Sequence, residues 1–305
     1  MARWAPLART WLVLAPALVG ALGMLSTGRS DARALAACPN CSRSIPATWH
    51  VVETANFRIL SFGTHPVSPE TARACESLRG QLARQWLADD PKPWSPKCDV
   101  VLQPTDEAYL REVGGGGRNT VASALIDRRD SRICRRRIDV RASGSDWQTL
   151  ALAHELAHVV LADRFVHQAL PRWVDEGMAI LADPPEKRER HERALKRAVA
   201  RGAQFRLAEL LALADYPAAD RWGTFYGQSA SLVEYLVAQQ GHGRFVEFVD
   251  LALEHGYENA LRRVYSVGIG ELERRWHRTL TAADSAAGAE APNHRAASSV
   301  SSSAG

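Results

Sequence analysis

Hydrophobic and polar positions follow two different patterns along the chain. Between residues 49 and 146, short stretches rich in β-branched and aromatic residues alternate with two segments of helical periodicity, which predicts a small mixed sheet. Between residues 147 and 281, apolar residues recur at helical spacing in one segment after another. The pattern predicts an α+β fold, with a strand-rich N-terminal lobe followed by a mostly helical C-terminal lobe. The predicted strands cover residues 49–62, 98–104, 120–127 and 136–142, and the helices between them cover residues 68–87 and 106–114.

One helical segment carries polar residues where none are expected. The stretch "LALAHELAHVVLA", residues 150–162, is apolar except at His154, Glu155 and His158, and it contains neither proline nor glycine. Such a helix is hydrophobic on all sides and should be buried. A buried imidazole or carboxylate without a partner costs roughly 1 to 3 kcal/mol. The three polar side chains are therefore expected to share a partner.

The spacing of the two histidines suits a metal ion. At 3.6 residues per turn, His154 and His158 point from the same face of the helix, one turn apart. Zinc accepts neutral imidazole nitrogens, and Glu155 would lie close to the metal without binding it. A third histidine six residues after the second is excluded, because residue 164 is Arg. Glu176, eighteen residues after His158, can complete the site.

Glu176 lies in "PRWVDEGMAILAD", which predicts a short second helix that begins after Pro171. The neighbouring Asp175 is expected to cap this helix or to accept a hydrogen bond from a histidine. Other histidines of the C-terminal half, among them His191, lack any paired spacing and are expected at the surface.

"HELAH" followed at this distance by "WVDEGMA" resembles the metal-binding helices of the gluzincins, the thermolysin and aminopeptidase N type of metallopeptidase. Within that group the chain is most similar to the peptidase MA-like domains of exported bacterial proteins, because "FYGQSASLVEYLVAQQG", residues 225–241, resembles their tyrosine-bearing helix. The likeness covers roughly residues 49–280, and the N-terminal half matches only in layout.

The resemblance implies a zincin-like fold with a metal site between the two lobes. It implies one Zn²⁺ per chain, bound by His154, His158 and Glu176, with Glu155 as general base and a peptide or protein as substrate. It also makes Tyr226 the candidate for stabilising an oxyanion. A tyrosine of an amphipathic helix can equally be a packed aromatic, so both roles of Tyr226 stay open.

One departure from the family limits the substrate. The stretch "RRIDVRASGSD" before the metal-binding helix lacks the glutamate with which aminopeptidase N relatives hold a free amino terminus. Internal cleavage is therefore the better hypothesis, and the strand "RIDVRA" could pair with an extended peptide. Two alternatives stay open. One is a non-catalytic binding or scaffold protein of the cell envelope that retains the fold, and the other is hydrolysis of a carbonyl compound other than a peptide.

Composition is that of a globular protein, with 305 residues, 46% hydrophobic and 24% charged, and a formal charge of +4. The arginines between residues 128 and 137 alternate with aspartates, which predicts a solvated hairpin rather than a polyanion-binding surface. No nucleic-acid partner is expected.

The glycine run 114–117 lacks a following Lys-Ser/Thr pair and is expected to be a flexible turn rather than a phosphate loop.

The N-terminal segment predicts export. Residues 1–36 combine Arg3 and Arg9 with an apolar stretch and an "ARALA" site, as in a signal peptide or an N-terminal anchor that would associate with a membrane. A cysteine-containing linker, residues 37–48, follows, and "LAAC" resembles a lipobox that would lipidate Cys38. The expected location is periplasmic, cell-envelope or secreted.

The tail, residues 282–305, lacks large apolar residues and is predicted to be disordered.

The five cysteines are an odd number, so lipidation of Cys38 would leave four for two disulfides. An exported chain permits such bonds. Cys98 and Cys134, each near the start of a predicted strand, are the best candidates for a pair.

Overall fold

The computed structural model describes residues 49–62, 67–87, 92–143 and 151–289, with side chains as far as residue 281. Several expectations fall outside these residues: the signal segment 1–36, the linker 37–48, the lobe boundary after residue 146 and the end of the tail, residues 290–305. None of the helices in the described ranges combines the length and hydrophobicity that a membrane-spanning segment requires.

The described part of the N-terminal half forms a mixed five-stranded sheet in the order β1-β2-β3-β5-β4. The outer pairs β1–β2 and β4–β5 are antiparallel, whereas β2–β3 and β3–β5 are parallel. The sheet confirms the predicted α+β class with a small mixed sheet that precedes the helices. The strands are β1 (Trp49–Glu53), β2 (Phe57–Phe62), β3 (Cys98–Gln103), β4 (Ala122–Arg129) and β5 (Arg132–Arg141).

Two helices of this half, α1 (Pro69–Trp86) and α2 (Asp106–Val113), match the predicted segments. Ser68 caps α1, because its side chain accepts a hydrogen bond from the Thr71 amide. The helices after the sheet are α3 (Leu152–Arg164), α4 (Arg172–Ile180), α5 (Pro185–Ala200), α6 (Leu207–Ala212), α7 (Trp222–His255), α8 (Tyr257–Tyr265) and α9 (Ile269–Ala289).

Helix α7 is broken at Gly241, where φ is +83°. The break divides α7 into two parts, which correspond to the two separate apolar segments of the sequence. Helix α9 continues to Ala289, so the tail predicted to be disordered from residue 282 begins as helix. The alanines of "AADSAAGA" explain this difference, because alanine has the highest intrinsic helix propensity.

The order of the strands corrects one expectation. Strand β5, which contains "RIDVRA", lies between β3 and β4 and already pairs on both sides, so it cannot add a substrate strand. The edge of the sheet on this side is β4. Local periodicity predicts that a strand exists, but it carries no information about which strand lies at the edge.

The arginine-rich hairpin β4–β5 is also less solvated than predicted. Arg136 is only 5% exposed, and its guanidinium donates to the Pro96 carbonyl oxygen at 2.7 Å and to Asp163. Arg137 donates to both carboxylate oxygens of Asp139. Asp139 and, from outside the hairpin, Asp163 therefore neutralise arginines within the fold, a role that charge alternation alone does not distinguish from solvation.

The predicted disulfide between Cys98 and Cys134 is not formed. Cys98 begins β3 opposite Arg136 of β5, whereas Cys134 is the additional residue of a β-bulge two positions earlier. Strand rise and strand spacing put such Cα atoms about 8 Å apart, beyond the reach of a disulfide.

The glycine run forms a packed turn instead of a free loop. Residues Gly115–Asn119 make one short 3₁₀ turn, and Gly117 is buried against α2. A Cβ atom at Gly117 would lie 2.2 Å from Cγ2 of Val113, so the close approach requires glycine. This turn leads directly into Thr120 and the start of β4.

Candidate metal centre

Helix α3 runs through the core, as its apolar sequence predicts. It packs against α1, α4, β4 and β5, and nearly all of its residues are buried. At its C-terminal end, Asp163 accepts hydrogen bonds from Trp94 and Arg136, which fixes the helix to the sheet. The position of α3 therefore places His154 and His158 inside the protein.

The two histidines and Glu176 converge as the spacing predicts. The ring centroids of His154 and His158 lie 4.9 Å apart. Glu176 enters from α4 and is 0% exposed. One potential ligand atom from each of the three residues lies within 4.8 Å of the other two. The two helices thus supply two imidazoles and one carboxylate around one point.

Carboxylates hold the opposite ring nitrogens of both histidines. Nδ1 of His158 donates to Asp175 at 2.8 Å, and Nδ1 of His154 donates to Asp183 at 3.2 Å. The expectation that Asp175 supports a histidine is confirmed. Both hydrogen bonds leave the Nε2 atoms directed at the shared point, where Nε2 of His154 lies 3.5 Å from Oε2 of Glu176.

The electrostatics of the cluster favour a cation. Burial and the Lys187 charge lower the pKa of His154, but Asp183 and Glu176 outweigh both and raise it to about 10. Burial raises the pKa of Glu176, but His154, His158 and Tyr216 outweigh it and bring the pKa to about 2. The carboxylates around the two imidazoles thus stabilise positive charge at this point, which a divalent metal ion would supply.

The set of donors fits zinc. Two imidazole nitrogens and one carboxylate are ligands that zinc takes in catalytic sites, where a fourth position stays open. The Oε2 atom of Glu176 is buried and makes no hydrogen bond to any residue that the structure describes. A buried carboxylate oxygen in this state requires a partner, and a metal ion between His154, His158 and Glu176 would provide it.

Tyr216 is a member of the site that the sequence motifs do not reveal. It lies between α6 and α7, and its hydroxyl donates to Oε1 of Glu176. Burial and the Glu176 charge raise its pKa well above the usual value, which keeps the phenol protonated as a donor. Tyr216 follows Glu176 by forty residues and lies outside any helix. Hydrophobic periodicity therefore could not predict that the two side chains meet.

A cleft of about 310 Å³ opens beside the candidate metal-binding group of His154, His158 and Glu176. Glu155 and His154 line it, together with Tyr226 from α7 and His191 from α5. Glu155 is 3% exposed. The ring of His191 packs on Tyr226 at a centroid distance of 5.6 Å, so His191 is a cleft residue and not a plain surface group.

Tyr226 thus lies in the cleft beside the candidate metal-binding group. Burial raises the pKa of its phenol above the usual value, and the charges of Glu176 and Glu155 raise it further. A protonated phenol that faces a cleft can donate a hydrogen bond to a ligand.

Comparison with known protein families gives one match that contains this arrangement. Residues 132–282, from β5 into α9, match the model of the peptidase MA superfamily. Residues 132–282 are thus identified as a peptidase MA-like domain. Comparison with curated proteins gives no match. The peptidase MA match contains the whole His154, His158 and Glu176 group, and it indicates a peptidase-type domain.

Proposed function

We propose that the chain is a zinc-dependent metallopeptidase with a zincin-like fold. The observation that carries this proposal is the buried convergence of His154, His158 and Glu176, with Glu155 on the wall of the adjoining cleft. The peptidase MA match supports the same class of enzyme. No fourth side chain of the group closes the site among the described residues, as a structural zinc centre would require.

In this mechanism zinc would supply a Lewis acid that polarises the scissile carbonyl and lowers the pKa of water. Glu155 is the general base that takes a proton from the attacking water and returns it to the leaving amine. Tyr226 donates its phenolic hydrogen to the carbonyl oxygen as negative charge develops. Asp175 and Asp183 hold the two imidazoles in the tautomer that leaves Nε2 available.

We propose internal cleavage of peptides, with β4 as the strand that binds the substrate backbone. The metal-binding helix packs against β4, and the cleft wall contains Val121 and Ala122 at the start of this edge strand. An extended peptide can add to an exposed edge through main-chain hydrogen bonds. The stretch "RRIDVRASGSD" before the metal-binding helix lacks the glutamate with which aminopeptidase N relatives hold a free amino terminus.

We propose further that the protein is exported, on the basis of the apolar stretch and basic residues within residues 1–36. The segment would be cleaved as a signal peptide, kept as an anchor or followed by lipidation at Cys38. Each route places the enzyme in the periplasm, in the cell envelope or outside the cell.

The test is metal content and cleavage by the purified protein. Elemental mass spectrometry should find about one zinc per folded chain in the wild type and little in His158→Ala. Glu155→Gln should keep the zinc and lose cleavage of a peptide library. Metal in neither protein after incubation with zinc would reject the metallopeptidase and favour a non-catalytic envelope protein. Cleavage by Glu155→Gln at the wild-type rate would reject the general base.

A further inference from the structure

A second pocket lies at the opposite end of β4 from the cleft. Its volume is about 240 Å³, and it is lined by Ile126 and Arg128 from β4, His158 from α3, and Arg172 and Asp175 from α4. His154 lines the cleft and His158 lines this pocket, so the metal-binding group lies between the two. The catalytic chemistry described above uses the cleft and leaves this pocket without a role.

Arg128 lines the pocket and has one hydrogen-bond donor without a partner among the described residues. It shares one face of β4 with Ala122 and Ile126, because side chains alternate along a strand, and this face packs on α3. Its Nε atom is buried and makes no hydrogen bond to any residue in the described ranges. Burial lowers the pKa of Arg128. A buried N–H donor in this state lacks the acceptor that it needs.

Arg172 brings a second guanidinium to the same pocket. Its side chain is 16% exposed, and its Nε atom lies 3.8 Å from Asp215, which is beyond hydrogen-bond distance. The guanidinium packs over the ring of Tyr216 at 5.0 Å. A planar cation stacked on an aromatic ring keeps its N–H edge available for an acceptor.

The carboxylates near these arginines hydrogen-bond other groups or, in the case of Asp215, lie 3.8 Å from Nε of Arg172. Asp175 accepts a hydrogen bond from His158, and Asp163 accepts hydrogen bonds from Arg136 and Trp94. The described residues therefore give Nε of Arg128 no acceptor and give Arg172 only the ion pair with Asp215. Guanidinium groups bind carboxylates through paired, charge-assisted hydrogen bonds.

We propose that this pocket is a substrate subsite for a carboxylate group, a hypothesis that rests on the proposed peptidase function. A peptide added along the edge of β4 would place alternate side chains on the face that carries Arg128. The carboxylate comes either from an aspartate or glutamate side chain of the peptide or from a free C-terminus. The enzyme would then select its cleavage site by an acidic group on the His158 side of the metal.

The experiment measures binding separately from cleavage. Glu155→Gln protein, loaded with zinc, is titrated with fluorescein-labelled peptide pools in which each position in turn is fixed as Glu or as Gln. Each pool is made with a free and with an amidated C-terminus. Hydrogen bonds between a carboxylate and guanidinium groups predict about tenfold tighter binding of the acidic member of a pair.

Arg128→Gln and, separately, Arg172→Gln should abolish this preference. Arg129→Gln is the matched control, because it removes the same charge from the neighbouring, exposed position of β4 and should keep the preference. Folding of each variant is checked by circular dichroism. Preference for Glu over Gln assigns the subsite to a side chain, and preference for the free over the amidated pool assigns it to the C-terminus.

Equal binding of all pools, or an unchanged preference in both folded arginine variants, would overturn the subsite. Wild-type cleavage of the same pools is measured in parallel. Cleavage without acidic preference rejects the subsite and leaves the peptidase proposal intact. Acidic preference without any cleavage by the wild type rejects the peptidase proposal but keeps the carboxylate site.

Discussion

Two tyrosines near Glu176 have different surroundings, and the difference assigns them different roles. The hydroxyl of Tyr216 donates to the carboxylate of Glu176, whereas Tyr226 faces the cleft. Loss of a residue that orients a metal ligand lowers metal affinity by about 10- to 100-fold. We therefore expect Tyr216→Phe to weaken zinc binding to this extent in titrations against a competing chelator.

Tyr226→Phe is the control for Tyr216→Phe, because it removes the same hydroxyl oxygen from a second tyrosine near Glu176. It should bind zinc as the wild type does and lower kcat by about 100-fold or more if the phenol stabilises the oxyanion. An unchanged kcat in Tyr226→Phe would make this residue a packed aromatic of the cleft wall. Equal zinc affinity in wild type and Tyr216→Phe would contradict the positioning role of Tyr216.

His191 makes the stability of the protein depend on pH. Burial lowers its pKa from 6.5 to about 4. The unfolded chain therefore binds this proton more readily than the folded protein. The stability contributed by neutral His191 is present above pH 6.5 and is lost as the pH falls towards 4.

The comparison of wild type with His191→Gln isolates this contribution. Between about pH 7.5 and about pH 5, the free energy of unfolding should fall by roughly 1 kcal/mol more in the wild type, with allowance for the partial exposure of the ring. Urea unfolding at both pH values measures it. Parallel losses in the two proteins would show that His191 is not desolvated.

At the scale of elements, the contact between α4 and α7 holds Glu176 in place. Gly177 follows Glu176, and a Cβ atom there would lie 2.5 Å from Cγ2 of Val233 and 2.6 Å from the carbonyl oxygen of Ser229. The carbonyl belongs to the backbone of α7 and cannot move alone. Gly177→Ala should therefore push the helices apart and destabilise the protein by about 1 to 3 kcal/mol.

Gly243→Ala is the control for this substitution. Gly243 lies in the second part of α7, and a Cβ atom there meets nothing within 4 Å. Alanine at an open helical position should stabilise the protein by up to about 1 kcal/mol. Guanidinium unfolding of both variants gives the comparison, and a Gly177→Ala protein as stable as the wild type would show that the helices separate without cost.

The sequence predicts elements well here because most of them bury one periodic face. The apolar run around His154 and the segment around Glu176 could be recognised as helices. The convergence of His154, His158 and Glu176 could be predicted from the histidine spacing together with the resemblance to the gluzincins. The edge position of β4 could not, because strand order depends on contacts between distant segments. The contact of Tyr216 with Glu176 could not be predicted for the same reason, because a loop residue is not part of a periodic pattern.

At the scale of the whole molecule, the candidate metal-binding group joins helices that belong to one continuous core. Helix α3 packs on the sheet and on α1, whereas α4 packs mainly on α7. A ligand that bridges His158 of α3 and Glu176 of α4 therefore links the two sides of the core. It stabilises the folded protein in proportion to its binding, because the unfolded chain cannot present the three ligands together.

Zinc should consequently raise the thermal stability of the whole protein. At a free concentration of about 100 times the dissociation constant, the stabilisation is roughly 2.7 kcal/mol, and the melting temperature measured by differential scanning calorimetry should rise with each increase in zinc. His158→Ala should melt at a temperature that does not depend on zinc. If zinc raised the melting temperature of both proteins equally, the metal would be binding elsewhere, and the link between α3 and α4 through a metal ion would be refuted.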